Sequence, residues 1–122
     1  MYLGLNLIAD INILEKVNFK KLIVLSLSNN KISNIDILAK VNFKDLKELN
    51  LGNNYIRDIK VLEFVNFEKL KGLNLNKNNI QNIDVLRKVF FKELQNLELT
   101  IESIHFTSYK GLLEYLKLEN NK

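Results

Sequence analysis

The chain has 122 residues, a formal charge of +4 and a hydrophobic fraction of 47%, which suits a single folded domain. It has no cysteine, which excludes disulfides, thiol nucleophiles and cysteine-ligated zinc. No run approaches the roughly 20 apolar residues of a membrane-spanning helix, and the lysines are scattered rather than gathered into a compact basic patch, so nucleic acid is not the expected partner.

Met1 to Leu7 has neither a basic n-region nor a small-residue cleavage site. With the missing cysteines, this leads to the expectation of a cytoplasmic protein. Residues 1–21 read as the tail of a repeat, with Leu3, Asn6, Ile8, Ile11, Leu14, Val17 and Phe19 in phase with the later copies. Leu22, Leu46 and Leu70 each open a copy of one pattern, 24 residues apart, giving repeats 22–45, 46–69 and 70–93. In the first, Leu22-x-x-Leu25-x-Leu27-x-x-Asn30-x-Ile32 leads into Ile35, Leu38, Val41 and Phe43. The alternation in Leu25-Ser26-Leu27 predicts a short strand with one buried face. The spacing of three in Asp36 to Val41 predicts a helical turn, with Asp36 as its N-cap.

The fourth copy, opened by Leu94, departs from the pattern. Glu102 stands where Asn is due, and the motif Leu113-x-x-Leu116-x-Leu118-x-x-Asn121 returns after 19 residues instead of 24. This reads as an irregular short repeat, 94–112, then a partial repeat or cap, 113–122. The intact motif favours a strand there. The alternative is a capping helix, from the spacing of Tyr109, Leu112, Leu113 and Leu116.

The motif Leu-x-x-Leu-x-Leu-x-x-Asn-x-Ile, in three near-perfect copies, resembles the leucine-rich-repeat family over nearly the whole chain. Within it the sequence looks most like the short intracellular class exemplified by the regulatory subunit of type-one protein phosphatase, although Ile-x-x-Leu-x-x-Val-x-Phe runs two residues longer. Internalin-type bacterial adhesins share a similar short repeat. The resemblance implies an α/β solenoid with a parallel sheet on the concave side and short helices or turns on the convex side. It also implies a module that binds a protein partner and catalyses nothing. The alternatives are an extracellular or surface adhesin fragment of internalin type, and an accessory repeat domain of a larger enzyme.

Asn6, Asn30, Asn54 and Asn78 could be a row of ligands. Each follows a strand where the chain turns sharply, so a structural ladder that satisfies turn backbone groups is the better reading. Phe19, Phe43, Phe67 and Phe91 recur in phase and read as a buried spine rather than a base-stacking platform. His105 is the only histidine, without the partners that metal or acid–base work needs. No metal or cofactor is expected. The outward strand positions leave Ser26, Lys47, Glu48, Asn50, Lys71, Asn74, Asn96 and Glu98 as candidates for a protein-binding face, with a merely solvated face as the plain alternative. Tyr2, Ile23 and Val24 place apolar groups at nominally exposed positions, which suggests self-association through uncapped ends or a lost cover.

Overall fold

A computed structural model describes residues 1–17 and 20–120, the side chain of Asn120 excepted. Phe19 and Asn121 therefore lie outside the described residues.

Each leucine triplet builds a strand of three residues: β1 (Val24–Ser26), β2 (Glu48–Asn50) and β3 (Gly72–Asn74). They pair in parallel with β4 (Asn96–Ile101), in the order β1-β2-β3-β4. The register follows the sequence period: Leu25, Leu49, Leu73 and Leu97 stand side by side. All four are buried, as are Leu27, Leu51, Leu75 and Leu99 two residues on. Period-two alternation thus sends every second side chain into the core. Residues 1–5 extend the sheet beyond β1, through a bridge of Tyr2 to Ser26 and the bonds Leu3 N to Ser26 O (2.8 Å) and Ser26 N to Met1 O (2.9 Å).

The opposite side is a stack of 3-10 helices, Asn12–Lys16, Asp36–Lys40, Lys60–Glu63 and Asp84–Arg87. Asp36 is not the cap of its turn but the first residue inside it. The side-chain bond there comes from two residues earlier, where Asn34 Oδ1 accepts the Asp36 N–H at 2.8 Å. Asp10, Asp58 and Asn82 do the same for Asn12, Lys60 and Asp84. The N-cap positions are isoleucines, which have no acceptor, so the short Asn or Asp before each one bonds its own backbone two residues on.

The core runs between these layers. Phe43, Phe67 and Phe91 stack with centroids 6.0 and 5.9 Å apart. The left-handed backbone residue after each strand also repeats: Leu5, Asn29, Asn53 and Lys77 all have positive φ.

At 94–120 the pattern ends differently from the expected strand. β4 runs on to Ile101 and folds back at Glu102 and Ser103, both at positive φ, into the antiparallel β5 (Ile104–Phe106). Residues Tyr109–Asn120 then form the helix α1, not a further strand. Its apolar residues show why. A helix buries Tyr109, Leu112 and Leu116 together and leaves Leu118 out, 65% exposed, where the strand reading would bury it. Tyr109 continues the aromatic spine, 6.1 Å from Phe91, and its hydroxyl accepts the Phe91 N–H at 3.2 Å. Arg87 Nη1 donates to the Leu116 carbonyl at 3.0 Å, tying the last 3-10 helix to α1.

Candidate functional site

The asparagine ladder is built from the turn inward. Asn54 Nδ2 donates to the carbonyls of Leu27 (3.0 Å), Leu51 (3.1 Å) and Gly52 (3.2 Å), while Oδ1 accepts the Ile32 N–H at 3.0 Å. One side chain thereby ties its own turn to the preceding repeat. Asn30 and Asn78 repeat the pattern, reaching back to Leu3 O and Leu51 O and accepting from Ile8 N and Ile56 N. Asn30 and Asn54 are buried and Asn78 is half-buried. Asn6 differs: it is exposed and bonds only Leu3 O and Gly4 O of its own turn. These residues are occupied with backbone and have little left to offer a ligand.

The outward strand residues form columns across the sheet face. Ser26, Asn50, Asn74 and Glu98 are in register, and so are Val24, Glu48, Gly72 and Asn96. Neighbours in a column are separated by one strand spacing, about 4.8 Å. The central asparagines have a fixed orientation. Asn50 Oδ1 accepts the Gly52 N–H at 2.9 Å and Asn74 Oδ1 the Asn76 N–H at 2.8 Å. A backbone N–H must meet an oxygen, so Nδ2 is the end of each amide left for other partners, and the Asn74 amide lies over Gly52. Ser26 Oγ is within 3.3 Å of Ser28 Oγ.

Two hollows lie along this face. One, of about 390 Å³, runs from Tyr2 and Val24 across Ser26, Glu48, Asn50, Gly72, Asn74 and Asn96 to Glu98. The other, of about 330 Å³, follows the turn edge past Ser28, Asn29, Gly52, Asn53 and Asn76 to Lys77. The structure thus gathers Ser26, Glu48, Asn50, Asn74, Asn96 and Glu98 into one surface. Lys47 and Lys71 stand just before their strands, exposed, and line neither hollow. The apolar end is where the sequence puts it: Tyr2 is 79% exposed and Ile23 50%.

Sequence reasoning missed two arrangements. Gly72 has no side chain to stand in its column, and the Glu48 carboxylate lies over it. A Cβ built on Gly72 would collide with Glu48 Oε2. At the far edge, Thr100 pairs with His105 across the hairpin. Its hydroxyl donates to Asn76 Oδ1 at 2.8 Å and, having one proton, takes the His105 Nδ1–H at 2.8 Å. His105 is therefore part of a chain of hydrogen bonds along the sheet edge. Leu97, Leu99 and Ile101, then Ile104 and Phe106 after a two-residue gap, carried the hairpin signal in the sequence. Among the described residues no group of His, Asp and Glu side chains could hold a metal ion.

A parallel sheet of short strands in 24-residue register, closed on one side by 3-10 turns and stitched by an asparagine ladder, defines a repeat solenoid with an open sheet face. The fold is that of a leucine-rich-repeat solenoid. The family model for paired leucine-rich repeats matches residues 20–64. Among solved structures, the chain is similar to internalin C2 from Listeria monocytogenes strain 4b F2365, with 28% identity and a TM-score of 0.66. That likeness covers 82% of this chain and 40% of the internalin, so the chain spans well under half the length of that protein. No curated protein matches the sequence.

Proposed function

We propose that the chain is a protein-interaction module that binds its partner across the concave sheet face, centred on Ser26, Asn50, Asn74 and Glu98, and that it has no catalytic activity of its own. One observation carries this reading. The register turns four outward side chains into a continuous column with open amide donors, over a hollow of about 390 Å³. Specific protein interfaces need a broad, complementary surface more than a deep cavity, and a ladder of parallel strands supplies one. Lys47 and Lys71 flank the column and would steer encounter and register more than strength. Nothing on the face converges as nucleophile, base and stabiliser. The absence of cysteine supports a cytoplasmic setting.

The likeness to internalin C2 favours a second reading, a surface adhesin segment working through the same face. Sequence flanking these residues in the gene separates the two: an export signal or wall anchor selects the adhesin.

The binding face is tested once a partner is in hand. Asn50→Arg with Asn74→Arg should abolish binding and lower the thermal midpoint only modestly, because both side chains are half-exposed and each gives up one backbone N–H that it accepts. Val24→Asp should bind with only modest loss. If the column variant binds normally and Val24→Asp does not, the apolar Tyr2–Ile23–Val24 end is the site instead.

A further inference from the structure

We infer that the partner of the sheet face presents a cationic side chain, lysine or arginine, into the hollow between Glu48 and Glu98, followed by an apolar residue toward Val24 and Tyr2. This rests on the reading that the face is the binding surface, and adds the chemistry of what it binds.

The chain as a whole carries +4, yet the ionisable side chains lining this hollow, apart from the tyrosine, are both carboxylates. Neither Glu48 nor Glu98 enters an ion pair among the described residues. The charged side chains that line the hollow are thus opposite in sign to the net charge of the molecule. An isolated pair of exposed glutamates would mean little. Here a specific backbone feature aims one of them. Gly72 is the only residue of its column without a side chain, and Glu48 uses the room: its carboxylate lies over Gly72 instead of pointing straight out from β2. That moves its charge one strand nearer β4. Gly72 and Glu98 are one strand and two residues apart, roughly 8 Å between Cα atoms from standard sheet spacings. A guanidinium or ammonium seated beside Asn74 reaches both carboxylates from there.

The remaining lining fixes the direction of the bound segment. With each Oδ1 taken up by a backbone N–H, the Nδ2 donors of Asn50 and Asn74 are left beside the charges, suited to the carbonyls of an extended backbone. Two strands away the hollow ends on Val24 and on Tyr2, the latter 79% exposed. An apolar side chain there would cover surface that water now meets.

The test uses phage-displayed random peptides selected on the immobilised chain, with affinities of the selected peptides measured by fluorescence anisotropy. The expected consensus pairs Lys or Arg with an apolar residue. Glu48→Gln with Glu98→Gln should weaken these peptides about tenfold or more, as expected for loss of charge-assisted bonds. Gly72→Ala should weaken them several-fold, because its methyl displaces the Glu48 carboxylate while the strand keeps its geometry. Glu48→Lys with Glu98→Lys should turn the selected consensus acidic. Thermal unfolding of each variant checks that the fold is intact. Peptides that lack a cation, or that bind the Gln variant as well as the original, overturn the inference. If Asn50→Arg with Asn74→Arg still abolishes their binding, the face reading survives that failure. If that variant binds them normally, or if selection enriches nothing, both fall.

Discussion

Residues 46–93 and residues 94–120 begin with the same leucine triplet and end in opposite ways. In the first region every turn is left-handed at one residue, locked by a buried or half-buried asparagine, and handed on to the next repeat. In the second, Leu94, Leu97 and Leu99 fall in register, but Glu102 occupies the ladder position and the chain reverses into a hairpin. The ladder needs one short side chain that both donates and accepts. A glutamate carboxylate is longer, has no donor, and would be costly to bury. Losing that one amide ends the solenoid. The helix α1 then covers the last repeat with Tyr109, Leu112 and Leu116 where another repeat would have stacked. A periodic region is held by what each unit shares with its neighbour, and a closing region by what it no longer shares.

The largest break in this contrast is at the spine. Phe67 is buried between Phe43 and Phe91. Phe67→Ala is expected to cost about 3–5 kcal/mol in chemical denaturation, the usual range for emptying a buried phenylalanine site. An unchanged midpoint would show that the repeats do not depend on the spine.

The ladder comes next. Asn54→Ala should cost about 1–3 kcal/mol, because it orphans the buried Ile32 N–H and takes one donor from each of three carbonyls that keep another. Asn6→Ala, at the same repeat position but exposed, should stay within about 0.5 kcal/mol. Equal losses would show that the motif position, and not its burial, sets the energy.

The closing region gives smaller effects. Tyr109→Phe keeps the ring beside Phe91 and removes only the hydroxyl that accepts the Phe91 N–H, for about 0.5–1.5 kcal/mol. Hydrogen exchange at Phe91 should speed up more than at Phe67. Ser103→Gly should stabilise by up to about 1 kcal/mol, because Ser103 holds φ at 75°, where a residue with a side chain loses about 1–2 kcal/mol, against about 0.4–1 kcal/mol of added unfolded-chain entropy. Destabilisation there would mean the serine side chain contributes something the turn geometry does not reveal.

The sequence by itself determined the repeat, its 24-residue period, the leucine register, the asparagine ladder at Asn30, Asn54 and Asn78, though not at Asn6, and the phenylalanine spine at Phe43, Phe67 and Phe91. Each is a local rule imposed at every turn, and stacking identical units leaves one way to bury the leucines. It also separated inward from outward strand positions, because alternation is a backbone property. The tertiary structure alone decided the rest. Ile35 rather than Asp36 is the N-cap of the helical turn, and Asn34 bonds the Asp36 N–H in a turn just before it. The segment 113–120 is helical although the leucine motif is intact, because helical spacing buries Tyr109, Leu112 and Leu116 together. The Glu48 carboxylate lies over Gly72 because residues 24 apart in sequence are one strand apart in space. Spacing within a unit is written in the chain, whereas contacts between units, and the closure of the last one, depend on which surfaces remain to be buried once the stack has formed.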